Sequence, residues 1–391
     1  MRVLMLTQTT PYLPTHDRAR LVSAYLLAHL AEPHQITLIT PDLRGDTPAQ
    51  SAWAASLVAS TVRVPVKRWR QSLTGAPGDA VAALRAAAVQ AIADSTPDVV
   101  HLEGALLAPL AAALPVPVVV GCRESGVRRA RDARRLARAP GEWMRAQLEE
   151  RVETEWERRW LPAAQACVVG SEDDRRTLAE RVPAERIEVI PTGVDEARYD
   201  FRRAGEPTRL IFAGNLARPT HLEAARRLAT RVLPLVRRAL PQAELLVIGG
   251  GPLSALRGLA EAPGVRVAGA TSDLRPGLWS ASAALVPAEA SPGVEAAILE
   301  AMALGTPVVA AARSLLGLSH VLAGHHVLVA ESDAELAEAA LLVLREPVVA
   351  ATLATNARQV IERCYTWAAI ARSYASLWAR AADAATATVA A

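Results

Sequence analysis

The sequence predicts an α/β protein built as two doubly wound parallel-sheet domains, and three observations predict it. Short apolar and β-branched runs alternate with alanine-rich segments of helical spacing, the order that gives parallel sheets flanked by helices. At 391 residues the chain is too long for one ordinary domain and suits two, each with a full core. After residue 195, EARYDFRRAGEP lacks apolar periodicity and ends in Pro207, as an interdomain linker does. The expected division is 1–198, 199–366, and a closing helix with a frayed alanine-rich tail at 367–391.

Composition narrows the class. Hydrophobic residues make up 51% and charged residues 21%, which is a globular balance. The 43 basic and 40 acidic residues leave a formal charge of +3, too little to argue for nucleic acid. Lys67 is the only lysine, so almost all the positive charge is guanidinium. Cys122, Cys167 and Cys364 are odd in number and far apart in sequence, and they read as reduced thiols. MRVLMLTQ lacks the features of a signal peptide, and no apolar run approaches a membrane span. A cytoplasmic protein is expected, with peripheral membrane association left open.

The first domain opens with a buried strand over 3–6, the polar loop TQTTPYLPTHDRAR, a helix over 20–30 and a strand over 36–40. In a doubly wound sheet the loop after the first strand lies at the carboxyl edge, where ligands bind. His16, Asp17 and Arg18 are therefore candidate ligand groups, although Asp17 serves equally well as a helix N-cap. Strands are expected at 62–66 and 99–102, separated by an alanine-rich helix over 79–93. His101 and Glu103 fall at the same edge, where a histidine is either a cleft group or a structural hydrogen-bonder. After a strand at 117–121, RESGVRRARDARRLAR (123–138) is the densest positive charge in the chain. It reads as a helix for an anionic ligand or an anionic membrane surface, or as a solvated helix on a thin stripe of Val127, Ala130, Ala133 and Leu136. The next helix carries a packing stripe of Leu148, Val152, Trp156 and Trp160. Strands at 166–169 and 187–190 finish the sheet, with Ser171 capping a helix ahead of Glu172, Asp173 and Asp174.

In the second domain a strand over 210–213 and the loop GNLARPTH precede a helix from about residue 222. A strand over 245–248 runs into Gly249, Gly250 and Gly251, a loop that admits a ligand close to the backbone but is not the dinucleotide fingerprint. Strands at 265–268 and 284–286 follow. The stretch 290–311, ASPGVEAAILEAMALGTPVVAA, packs a turn, a helix and a strand into one run: Ser291, Pro292 and Gly293 turn the chain, apolar residues recur at helical spacing, and Gly305 stops the helix. A helix opening at Gly293 points N–H groups and the positive end of its dipole outward, which suits a diphosphate. Glu300, two turns further in, reaches a sugar hydroxyl or is a surface glutamate. Helices over 334–344, 347–364 and 367–385 end the chain.

The run LEAMALGTPVVAA resembles the signature of the family 4-like glycosyltransferases of GT-B fold. IEVIPTGVD, LIFAGNLARP, LLVIGGGP, VRVAGATSDLRPGLWSA and NARQVIERCYTW resemble further elements of that family in the right order, from the first strand to Trp367. The resemblance implies two Rossmann-like doubly wound domains facing across a cleft, the acceptor in the first and a nucleotide-diphosphate sugar in the second. The last helix would cross back to the first domain. It implies retention at the anomeric carbon, with no divalent metal and no cofactor beyond the nucleotide-sugar co-substrate.

By the same resemblance, Glu300 binds the ribose hydroxyls and the backbone near Gly269 and Ala270 meets the nucleobase. The loop holding Gly214 and Asn215 offers Asn215, Arg218 and His221 where relatives place an arginine and a lysine on the diphosphate; Gly250, Gly293 and Val294 complete the donor side. Arg218 and Glu289 are the expected catalytic groups. Glu289 stands in for a glutamate absent at Pro292, and Gly121 and Cys122 stand where relatives carry a histidine or aspartate, so that contact is missing or moves to Arg123 or Glu124. The expected acceptor side is His16, Asp17, Arg18, His101, Glu103, Arg123 and Glu124, for a glycan, lipid-linked or small-molecule acceptor. These altered positions keep two alternatives open: a non-catalytic GT-B subunit supporting a partner transferase, and, behind it, a sugar-nucleotide 2-epimerase.

Overall fold

In the run RVLMLT every side chain after Arg2 is buried, and residues of this kind form a strand where helices cover both faces of a parallel sheet. The computed structural model describes residues 1–15, 18–43, 45–66, 78–137, 139–202, 207–271, 273–287 and 295–390. His16, Asp17, Lys67, Glu289, Gly293 and Val294 lie outside the described residues. The chain divides into two units: Met1–Arg134, Ala139–Ile190 and Ile370–Ala391 form the first, Arg135–Arg138 and Pro191–Ala369 the second.

The first unit runs β1 (Arg2–Thr7), α1 (Arg18–Leu30), β2 (Gln35–Asp42), α2 (Pro48–Ala55), β3 (Ser60–Pro65), α3 (Asp79–Ser95), β4 (Val99–Glu103) and β5 (Val118–Arg123). It continues with α4 (Gly126–Arg135), α5 (Pro140–Trp160), β6 (Ala166–Val169), α6 (Glu172–Leu178) and β7 (Ile187–Val189). All seven strands are parallel, in the order β3-β2-β1-β4-β5-β6-β7. The order reverses between β1 and β4, so the loops after these two strands flank the switch point where such sheets bind ligands.

The second unit runs β8 (Arg209–Ala213), α7 (Pro219–Arg227), a π-helical turn over Leu228–Val232, α8 (Leu233–Ala239), β9 (Glu244–Ile248), α9 (Leu253–Ala260), β10 (Val265–Gly269) and α10 (Arg275–Trp279). It continues with β11 (Ala283–Val286), α11 (Glu295–Leu304), β12 (Val308–Ala310), β13 (Leu328–Val329), α12 (Asp333–Arg345) and α13 (Pro347–Val360), and α14 (Trp367–Ala390) starts in it. Its six parallel strands are ordered β10-β9-β8-β11-β12-β13, and the switch point falls between β8 and β11. The segment after Pro191 stands with this unit: the Val194 N–H donates to the Tyr365 carbonyl at 2.8 Å and the Trp367 N–H to that of Val194 at 3.2 Å. From Ile370 onward α14 belongs to the first unit, where Ile370, Tyr374, Leu377 and Trp378 are buried.

One expectation of local packing is corrected. On α5 the buried residues are Ala146, Trp156 and Glu157, whereas Leu148 is 50% exposed and lies outward with Trp143 and Met144. The acidic residues of α5 face the arginines of α4, so charge pairing and not the apolar stripe sets the helix's rotation. Cys122 and Cys167, distant in sequence, sit on adjacent buried strands with Val120 opposite Cys167. All three cysteines are free thiols; the hydrogen bond to Cys167, and then burial, push the Cys122 thiol well above its ordinary range.

Candidate functional site

At the carboxyl edge of the second sheet, three loops are fitted to one another by backbone contact. Beyond β8, the Gly214 N–H donates to the Ile248 carbonyl at 2.9 Å, and the Asn215 side chain accepts from the Ala217 N–H at 3.1 Å. That turn delivers Arg218 as the N-cap residue of α7, its own N–H bonded to the Asn215 carbonyl at 2.9 Å. Asn215 is exposed and Arg218 half-buried. His221 is only 2% exposed, and its Nδ1 accepts from the Asn215 N–H at 2.9 Å. It is therefore a prop beneath the loop, its proton placed on Nε2 if neutral, and not the second cation of a diphosphate clamp.

Gly249, after β9, donates its N–H to the Gly269 carbonyl at 2.8 Å, and a Cβ built on it would lie 1.8 Å from the Gly214 carbonyl oxygen. Gly250 faces Ala270, with 3.2 Å between the two Cβ positions, and a Cβ on Gly251 would approach Leu216 to 2.8 Å. Glycines are thus required because two backbones meet here. Gly249→Ala is expected to destabilise the protein by about 1–3 kcal/mol, since the oxygen it strikes belongs to a hydrogen-bonded turn. Gly250→Ala should cost clearly less, and equal unfolding midpoints for the two variants would contradict the fit.

On the other side of the switch point, α11 follows β11. Ala297, Ile298, Leu299 and Ala301–Leu304 are all buried, while Glu300 keeps partial exposure. Sequence gives this helix apolar residues nearly all round because it is packed on both sides, and Glu300 interrupts that run at a half-buried position. Gly305, at φ +88°, closes the helix in the left-handed conformation, and β12 begins three residues on.

The corresponding edge of the first sheet holds an anchored arginine. The β5–β6 register slips between Gly121 and Arg123, and Arg123 takes φ +64°, unusual for a residue with a side chain. Its Nε stands 3.4 Å from Glu103 Oε1, and Glu103 is 1% exposed. Glu103 Oε2 lies 3.2 Å from His101 Nε2, while the Trp378 indole N–H donates to His101 Nδ1 at 3.3 Å and the Tyr374 ring packs edge-on. His101 is completely buried, so the structural hydrogen-bonding role is the one its surroundings support. Burial raises the Tyr374 phenol well above its ordinary range. Arg18 opens α1.

The basic stretch 123–138 is more neutralised than its composition suggests. Arg129 contacts Glu124, Glu149 and Glu153 at 3.3, 3.1 and 3.0 Å, Arg131 contacts Glu150 and Glu180, and Arg134 contacts Glu150 at 3.0 Å. The hydrogen bond from Arg131 holds the Glu180 carboxyl below its usual range. Arg128 is 4% exposed and paired with Asp174 at 2.8 Å. Neither a solvated helix nor an open cationic face describes α4, because α5 and α6 supply its counter-charges. Ser171 caps α6 as expected, its hydroxyl accepting from the Asp174 N–H at 3.2 Å.

Two parallel-sheet units, each with a switch point whose flanking loops bear glycines and charged side chains, are the hallmark of the GT-B class. Solved structures of that architecture match over nearly the whole chain. Sucrose-phosphate synthase from Thermosynechococcus elongatus is 17% identical with a TM-score of 0.67, covering 97% of this chain and 99% of its own. The Anabaena protein HepE, solved in complex with UDP and glucose, is 15% identical with a TM-score of 0.65 over 97% and 99%. A glycosyltransferase from Rickettsia africae is 12% identical with a TM-score of 0.67 over 97% and 98%. No curated protein matches by sequence. The profile "Glycosyltransferase Family 4" matches residues 21–198 and "Glycosyl transferases group 1" matches 207–346. The chain belongs to the family 4-like glycosyltransferases of GT-B fold.

Proposed function

We propose that this chain transfers a sugar from a nucleotide-diphosphate sugar to an acceptor, with retention at the anomeric carbon and without a divalent metal. The observation that carries the reading is the switch point of the second sheet, where Arg218 and the backbone of Gly249–Gly251 stand on one side and α11 with Glu300 on the other. Arg218 meets the diphosphate, Glu300 the ribose hydroxyls, and Gly269 and Ala270 the base. Structural neighbours that hold UDP or UDP-glucose make these the first donors to try. On the acceptor side Arg123, held by buried Glu103, is the best-positioned group, with Glu124 beside it. The three free thiols accord with work in a reducing cytoplasm.

The test is calorimetric titration of the protein with nucleotide diphosphates and their sugar conjugates. Tight binding of one member is expected. Glu300→Ala should weaken it by about 1.5–3 kcal/mol, the value of a hydrogen bond to a charged group. Unaltered affinity would sink the ribose assignment. Because His221 is a buried prop, the non-catalytic reading keeps a specific observation in its favour; binding of sugar nucleotides without any release of free sugar or transfer would select it.

A further inference from the structure

We propose that the groove between α7 and α9 is a second anion site, for a small phosphate-bearing molecule, separate from the diphosphate loop at Arg218. Residues of α7, the π-helical turn and α9 enclose a cavity of about 380 Å³, within the range of small-molecule sites. Its cationic wall carries Arg226, Arg227 and Arg231, and its apolar floor includes Ala229, Ala255 and Leu259.

The π-helical turn explains how three arginines share one groove. In an uninterrupted α-helix, residues five apart point roughly 140° away from each other, so Arg226 and Arg231 would face different surroundings. The wider i→i+5 turn over Leu228–Val232 reduces that angle, and both arginines line the groove. The price in helix regularity falls on these residues, and such interruptions are frequent at functional sites.

The three guanidinium groups are not equivalent. Arg227 is 11% exposed and fixed by Asp333 at 2.6 Å and by the Glu331 carbonyl at 2.6 Å, so it is a structural wall. Arg226 has the Glu223 carboxylate 4.0 Å away, and Arg231 is exposed. Glu223 lines the groove and Asp333 pairs with Arg227 behind it, so the three arginines outnumber these two carboxylates. A phosphate supplies the acceptor oxygens that two guanidinium groups bind in fork geometry, and the apolar floor accommodates an attached carbon skeleton. Gly258 adds room, since a Cβ placed there would meet nothing within 4 Å. Arg218 lies eight residues before Arg226, about 12 Å along the helix, two turns from the groove.

Inorganic pyrophosphate is the probe, titrated calorimetrically at fixed ionic strength into Arg218→Ala protein, which removes the diphosphate loop from the comparison. Saturable binding is expected, weakened tenfold or more by adding Arg226→Ala and Arg231→Ala. Arg266→Ala, removing an exposed arginine of β10, should leave it unchanged. Absence of saturable binding to the Arg218→Ala protein overturns the site. So does equal affinity with and without the two groove arginines, or an equal loss on removing Arg266, which marks diffuse charge. Since Arg218 is missing throughout, failure of the sugar-transfer reading does not alter this result.

Discussion

Arg218→Ala is expected to slow sugar transfer by about 10²–10³-fold with the unfolding transition unchanged, the scale of losing one preorganised group at a developing charge. The expectation rests on what supports the residue. The loop after β8 is closed by the Asn215 side chain, propped from below by His221, and blocked from sinking by the close approach of Gly249 to the Gly214 carbonyl. A side chain leaving such a loop begins from a fixed backbone, so little reorganisation is needed when the leaving diphosphate gains charge. The loss should therefore appear in kcat more than in KM, because the interaction strengthens only as the bond to the sugar breaks. Arg218→Lys keeps the charge without the planar fork and should recover part of the rate. Transfer at the wild-type rate by Arg218→Ala would remove the residue from the reaction.

The largest stability effect is expected at the other end of the molecule's charge. Asp174→Ala should lower the unfolding free energy by about 3–5 kcal/mol, the range for breaking one side of a buried pair. Arg128 and Asp174 are 4% and 2% exposed. The carboxylate accepts from Arg128 Nε at 2.8 Å and from the Ser125 N–H at 2.7 Å, and the Ser171 hydroxyl also donates to it. Even so, burial pushes the Asp174 carboxyl above its ordinary range, more than Arg128 draws it down. The pair thus gains little over water, but its halves cannot be separated cheaply: the guanidinium cannot shed its proton, and the nearest remaining carboxylate, Asp132, stands 3.9 Å from it. Replacing both, as Arg128→Met with Asp174→Ala, should recover most of the loss. Urea midpoints with unchanged m-values would measure this, and a deficit below about 1 kcal/mol for Asp174→Ala would contradict the burial argument.

The strands were legible because parallel strands buried on both faces read as unbroken apolar runs, as RVLMLT and VVVG do. The end of the helix EAAILEAMAL is marked by Gly305, whose positive φ only glycine adopts without strain. Side-chain environments were less legible. His101 sits in a strand read correctly, yet its partners Trp378 and Tyr374 come from the last helix, and no local pattern announces them. His221 looks like a loop cation until its Nδ1 is seen accepting a backbone proton. Arg128 defeats the rule that charges mark the solvent face, because its closest counter-charge, Asp174, lies on α6. Glu289, Gly293 and Val294, central to the donor-side expectation, lie outside the described residues, so only the flanks of that turn bear on it.

The path of the chain through the two units sets an order on synthesis. Pro191–Ala369 is continuous and can close its sheet as soon as it leaves the ribosome, whereas the first unit is interrupted and regains its last helix only from Ile370. The Trp378 indole that binds His101 is 277 residues downstream of it. Until that helix emerges, His101 and Glu103 lack the cover that buries them. The unit begun first therefore cannot be completed until the whole of the unit behind it has been made.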